Sequence, residues 1–293
     1  MTFENWYNQK YKILLIIPII VLILSAIYLY NFQAQNGDII YKDVSLTGGT
    51  TITIFDSSIT PQEIQDELSK NFPDMQIRSL SDFRTGEQKA VILETQATVD
   101  QIKPALEEFL NYELTQENSS IEFSGETLSS GFYEQLKFAI FLAFIFMAIV
   151  VFLIFRTFVP SFAVILAALA DIVMTVVTVD LLGISLSTAG VIAFLMIIGY
   201  SVDTDILLTT RIIKRKEGTI NQRLFGSFKT GITMTLTSIV AIGTALIVVY
   251  NTSEVLKQIF TIVIIGLGFD LFNTWFANAS ILKWYAESKE EKS

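Results

Sequence analysis

Six stretches of about 20 predominantly apolar residues divide this chain, and five of them follow one another through short polar links. A run of that length spans the roughly 30 Å hydrocarbon layer of a bilayer when helical. In lipid every backbone N–H and C=O must be satisfied within the structure, which leaves helices as the spanning element for such runs. The expected spans are residues 13–30, 136–155, 158–182, 186–208, 231–250 and 255–283. Only Arg156 and Thr157 separate the second from the third, so these two helices form a tight antiparallel pair. Pro160 falls in the first turn of the third, where the missing N–H costs nothing.

Composition agrees. Of 293 residues 52% are hydrophobic, more than in an ordinary soluble domain. Cysteine and histidine are absent, so thiol chemistry is ruled out and any protonation switch must use carboxylates. No cofactor is implied, and the net charge of −9 argues against a nucleic-acid partner. Basic residues set the orientation. Lys10 and Lys12, Arg156, the group Arg211, Lys214, Arg215, Lys216, Arg223 and Lys229, and finally Lys283, Lys289 and Lys292 all fall on one side of a six-span topology. Residues 1–12 and 285–293 are therefore expected in the cytoplasm and residues 31–134 outside the cell membrane, with residues 135–284 forming the five-span bundle. The first apolar run lacks a small-residue cleavage site and reads as a retained span.

Residues 31–134 hold 18 acids and 6 bases. The pattern there is strand (44–55), helix (61–71), strand (75–83), a glycine turn (84–87), strand (88–95), helix (99–112) and strand (120–124). That order is the βαββαβ unit of a ferredoxin-like fold. Thr60 before Pro61 reads as a helix N-cap. No clustered nucleophile and base, and no phosphate-cradling glycine loop, marks an active site.

The chemistry lies in the spans. A carboxylate in a bilayer costs roughly 2.5 kcal/mol or more unless it is paired, hydrated or protonated, so such residues point first to a proton or ion pathway. Asp171 falls near the middle of the third span and Asp270 near the middle of the sixth. Asp203 and Asp205 lie about 9–12 Å above Arg211 on the fourth. The four aspartates are expected to meet in one layer. Asp203 and Asp205 are about 200° apart around their helix and face different neighbours. Arg211 is more than two turns from Asp203 and is expected to snorkel toward the interface. Asp180, at the outer end of the third span, reads as a solvated boundary residue. Asp270, Asn273, Thr274 and Asn278 line one face of the sixth span, and Thr230, Thr233, Thr237 and Thr244 one face of the fifth. Such threonines and asparagines serve more often as interhelical hydrogen-bond partners than as pathway residues.

These residues are similar to those of the SecF family, the smaller half of the SecD–SecF protein-export accessory, itself related to the resistance-nodulation-division (RND) class of proton-driven exporters. The layout of one span, one outer domain and five close-packed spans resembles it. So do the turn Gly48-Gly49-Thr50, the stretch Gly199-Tyr200-Ser201-Val202-Asp203 followed by Arg211, the threonine-rich stretch 233–238, and Asp270 with Asn273-Thr274-Trp275 and Asn278, the last closest to archaeal members. The family's signature, aligned without gaps, sets its aspartate at Thr204; here the acids flank that position, and either Asp203 or Asp205 inherits the role.

The resemblance implies half of an RND-type helix bundle with an external domain. It also implies a SecD-like membrane partner, the Sec translocon and a translocating unfolded polypeptide, with export assisted by the proton gradient. The coupling residues it implies are Asp203, Asp205, Asp171, Asp270 and Arg211, supported by Tyr200, Thr204, Thr233, Thr237, Asn273 and Asn278. Two other transport readings stand beside it: a proton-coupled small-molecule exporter of the same fold, and a passive translocon scaffold. An aspartyl protease is disfavoured because Asp203 and Asp205, on one helix, cannot form a catalytic pair.

Overall fold

The computed structural model describes residues 3–82, 85–215 and 217–291. Phe83, Arg84, Lys216 and Lys292, invoked above for a strand, a turn, a loop and the tail, lie outside the described residues. Six helical rods are long and apolar enough to cross a membrane. They are α1 (Phe3–Asn36), α5 (Glu126–Phe155), α6 (Phe158–Leu181), α7 (Thr188–Ile213), α8 (Ile220–Val249), and a composite rod of α9 (Glu254–Asn273), a π-helical turn (Thr274–Asn278) and α10 (Ala279–Glu290). Several continue past their apolar runs: α1 extends to Asn36, and α5 starts at Glu126. Polar caps fix the starts of three. Ser187 accepts from Gly190 N–H, Ser253 from Leu256 N–H, and Thr219 with Gln222 forms a capping box. The α5–α6 connection closes through Arg156, a non-glycine residue at φ 51°, as a two-residue link demands.

Helices α6 and α7 are the most buried of the rods, while α1, α5 and α8 form the periphery. One apolar core joins Val176, Val191, Phe194, Ile197, Ile262 and Leu267, with Leu46 of the small domain packed against its end. Two glycines permit the closest approaches. A side chain at Gly266 would meet Ile197, and one at Gly231 would meet Trp275 and Thr204.

The small domain is a four-stranded antiparallel sheet in the order β2-β3-β1-β4. Its strands are β1 (Gly49–Ile54), β2 (Gln76–Ser81), β3 (Gln88–Thr95) and β4 (Ser119–Ser124), and its long helices are α3 (Pro61–Leu68) and α4 (Val99–Leu110). That is the expected ferredoxin-like arrangement. The register places Ile52 beside Leu93 and Ile121, and Ile54 beside Val91, on the face covered by Ile64, Leu68, Ile102 and Leu106. The opposite face carries Thr51, Gln76, Arg78, Glu94 and Glu122 and looks across a cleft of about 830 Å³ toward the bundle. Thr60 and Glu63 form the expected capping box.

Three local expectations are corrected. Residues 44–47 form a short helix, α2 (Val44–Thr47), rather than the start of β1, because Asp43 caps it by accepting from Ser45 N–H. Gly48 (φ 87°) and Gly49 (φ 143°) then turn the chain into β1, where any side chain would strike the backbone of Glu126 or Thr95. Asp180 is buried at 4% exposure, not solvated. Lys283 is likewise buried. It donates to Asn8 and Asn221 over the ring of Tyr11 and so ties α10 to α1 and α8.

Candidate functional site

Three of the four aspartates meet inside the bundle. Asp171 on α6, Asp205 on α7 and Asp270 on α9 are each at most 1% exposed. Ser201 donates to Asp171 Oδ2 at 2.5 Å, and Asn273 Nδ2 donates to Asp171 Oδ1 at 2.7 Å. Asn278 Nδ2 donates to Asp205 Oδ1 at 2.7 Å. Thr274 Oγ1 lies 2.8 Å from Asp205 Oδ1 and 3.1 Å from Asp270 Oδ1. Thr235 on α8 approaches Asp270 Oδ2 at 3.4 Å. The layer thus takes in four helices.

The π-helical turn makes this possible. In a regular helix Asn273 and Asn278 would point about 140° apart. Here Ala279 N–H bonds back to Thr274 O, five residues earlier, and both asparagines reach carboxylates.

Hydrogen-bond arithmetic limits what Thr274 can do. A hydroxyl carries one proton, so Thr274 can donate to Asp205 or to Asp270 but not to both. With both buried carboxylates ionised, one of the two close oxygen–oxygen contacts holds no proton. A proton on one carboxyl fills that contact, because that carboxyl then donates to Thr274 Oγ1. Asp205 Oδ2, Asn273 Oδ1 and Asn278 Oδ1 are buried without partners and remain available to a proton or a water. Among the described residues no three acidic side chains are arranged to hold a metal ion.

The remaining expected residues stand apart from this layer. Asp203 is exposed on the outer face of α7, as is Tyr200 at 39% exposure, so the four-aspartate layer is corrected to three. Arg211 donates to Gly226 O and to Thr230 Oγ1 and so fastens α7 to α8. Thr204 is buried against the Gly231 backbone. Thr233, Thr237 and Thr244 lie on the exposed face of α8, their hydroxyls donating to carbonyls one turn back. Ser201, Thr235 and Thr274 were not singled out from sequence as site residues. Each carried a signal all the same: Ser201 and Thr235 lie within the stretches 199–203 and 233–238, and Thr274 within the polar stripe on the last span.

The SecD/SecF C-terminal family of protein export membrane proteins matches residues 105–288. Over 284 residues the chain is 43% identical to the protein-export membrane protein SecF of Methanocaldococcus jannaschii, covering 94% of this chain and 96% of that one. The chain belongs to the SecF family. The SecF of Methanothermobacter thermautotrophicus is 39% identical, with 95% and 94% covered. Among solved structures, SecDF from a Thermus species, a translocon-associated membrane protein, superposes with a TM-score of 0.74 at 16% identity. That alignment takes in 98% of this chain but 40% of the longer SecDF chain, so a SecF-family chain corresponds in fold to less than half of that molecule. The six spans with one ferredoxin-like domain thus have the fold of part of SecDF.

Proposed function

We propose that this chain works as the SecF-like subunit of a SecD–SecF accessory to the Sec translocon, and that protons passing through Asp171, Asp205 and Asp270 drive its work on a translocating unfolded polypeptide. The supporting observation is the Thr274 hydroxyl set between Asp205 and Asp270, a contact that needs a bound proton to be favourable. Proton binding joins α7 to α9 through one hydroxyl. Proton loss leaves two anions facing it in a low-dielectric interior, where like charges repel strongly. The helices then repack, and the small domain at their other end moves with them.

In this reading the termini are cytoplasmic and residues 31–134 extracellular, in accord with the basic residues on one side. Asp205, rather than Asp203, inherits the family's acidic role. Asp203 and the threonine face of α8 meet a SecD-like partner, since an aspartate is poorly suited to lipid.

The test is export in proteoliposomes carrying the translocon, this chain and its SecD-like partner, with and without a proton gradient. Asp205→Asn and Asp270→Asn are expected to abolish the gradient-dependent part and leave the basal rate. Gradient dependence that survives both substitutions would refute proton coupling and leave a scaffold.

A further inference from the structure

Helices α7 and α9 carry Asp205 and Asp270, with Thr274 in the π-helical turn that follows α9, and their opposite ends are knotted together outside the carboxylate layer. Gln258 on α9 does this with its whole amide. Its Oε1 accepts from the Ser187 backbone N–H at 3.1 Å and from the Ser187 hydroxyl, while its Nε2 donates to Ser185 O at 2.7 Å. Ser187 is also the N-cap of α7. The Gly190 backbone lies so close that a side chain there would overlap the Gln258 amide.

The same loop is held from the small domain. Asp43 N–H donates to Leu186 O at 3.1 Å, and Leu186 N–H donates to Tyr41 O at 2.6 Å. Thr188 N–H donates to Ser45 Oγ at 2.9 Å, and that hydroxyl in turn donates to Asp43 Oδ1 at 2.6 Å. Gln76 of β2 donates to Ser185 Oγ at 2.9 Å. Residues 185–188 are thus gripped from α9 on one side and from residues 41–45 and β2 on the other. Residues 41–45 lead through α2 into the central strand β1.

We propose that Gln258 is a positioning residue: it holds the start of α7 in register with α9, so that a change between Asp205 and Asp270 reaches the small domain through the 185–188 loop and Ser45. This rests on the proton-coupling reading above. The geometry favours it over a purely structural link. Directional hydrogen bonds to one loop fix both the distance and the angle between α9 and the start of α7. Gln258 lies 12 residues from Asp270, about 18 Å along the helix, and touches none of the three carboxylates.

The experiment is a spin-label distance measurement on the full chain, with its SecD-like partner, in lipid nanodiscs. The chain lacks cysteine, so Glu67→Cys on α3 and Phe158→Cys at the far end of α6 are its only labelled sites. Asp205→Asn serves as the permanently neutral form, and raising the pH removes the proton from the chain that keeps Asp205. In that otherwise unaltered chain the rise in pH is expected to shift the distance distribution, and in Asp205→Asn it is not. In Gln258→Leu, which keeps the size but not the amide, and in Ser45→Ala, on the other side of the loop, that shift is expected to vanish while the partner remains bound. A shift that persists in both variants overturns the assignment of Gln258. No shift in the unaltered chain overturns the proton-coupling reading, and the inference falls with it. The two failures are therefore distinct. Gln258→Glu keeps the acceptor for Ser187 but loses the donor to Ser185, and restoration of part of the shift is expected from it. A purely structural glutamine would give no such graded response.

Discussion

Asp203 and Asp205 stand two residues apart on α7 and meet opposite surroundings. Asp205 is fully buried and accepts from Thr274 and Asn278, whereas Asp203 is exposed on the outer face of the helix. Two residues rotate a helix by about 200°, so only one of the pair can enter the bundle. The fold brings in Asp205 because Val202 and Leu208 pack inward beside it. The buried carboxylate then serves the bundle's own chemistry, and the exposed one is left to whatever covers α7.

The single Thr274 proton between two carboxylates predicts a protonated carboxyl group in the resting protein at neutral pH. Infrared spectroscopy is expected to show its carbonyl stretch. Asp205→Asn or Asp270→Asn should remove that band, and Thr274→Val should shift it to higher frequency by taking away a hydrogen bond. Asp203→Asn should leave it untouched. A band absent from the unaltered protein would mean that both carboxylates are ionised.

Asn278 is fully buried and gives Asp205 one of its donors. Asn278→Ala should cost about 1–3 kcal/mol, the usual penalty of leaving a buried polar group unsatisfied. Combining Asn278→Leu with Asp205→Leu should lose less than the sum of the single changes, because both partners leave together. Unfolding in detergent, followed by circular dichroism, measures all four corners of that cycle. Strict additivity would mean that the contact does not couple the two residues.

The apolar runs were legible in the sequence because hydropathy is local: the six rods occur where the six runs do. The element order of the small domain was legible too, since Ile52 and Ile54 alternate with threonines and Ile64 with Leu68, and Ile102 with Leu106, fall at helical spacing. Residues 44–47 were read as strand because residues 44–55 are rich in threonine and isoleucine, and the local cap from Asp43 overrides that composition. Other features depended on a partner that sequence does not display. Ser201 and Thr235 were missed as carboxylate donors because their role rests on helix rotation. Asn273 and Asn278 were placed on one face correctly, but through a π-helical turn rather than regular spacing. Lys283 was read as a flanking charge because nothing local reveals that Asn8 and Asn221 wait for it.

Gly266 faces Ile197 with no room for a side chain. Gly266→Ala should therefore cost about 1–3 kcal/mol by overpacking. Ile197→Ala opens the space that the new methyl group needs, so the double variant should be less destabilised than the sum of the two. Thermal unfolding of the three variants checks this. Full additivity would mean that α7 and α9 separate freely at this point.

Outside the membrane, burial raises the Glu94 carboxyl above its ordinary value of 4.5, with the Arg78 guanidinium opposing and Asp43 and Glu254 adding to the rise. The folded protein therefore holds this proton to higher pH than the unfolded chain does. Its contribution to stability is greatest at low pH and is lost as pH rises from the ordinary value through the raised one. Glu94→Gln cannot ionise and escapes that loss. The stability difference between Glu94→Gln and the parent should be near its minimum around pH 4 and should grow in favour of the variant toward neutrality. Denaturant titrations at several pH values read it directly. A difference that shrinks with rising pH would mean that the ion pair with Arg78 outweighs burial.

The exposed face of α8 carries Thr233, Thr237 and Thr244, each satisfied by a carbonyl one turn back, and the neighbouring α7 exposes Asp203 and Tyr200. Back-bonded threonines tolerate lipid, but an aspartate does not, and on that ground this side of the bundle is proposed to meet a SecD-like partner. Thr237→Trp changes nothing inside the chain, so its own stability should stay within about 0.5 kcal/mol of the parent. The bulk on that face should nonetheless cut co-purification of the SecD-like partner sharply. The same change at Phe138 on α5, also exposed, is the control and should leave the partner bound. Loss of the partner with the α5 variant alone would move the interface to the other side of the bundle.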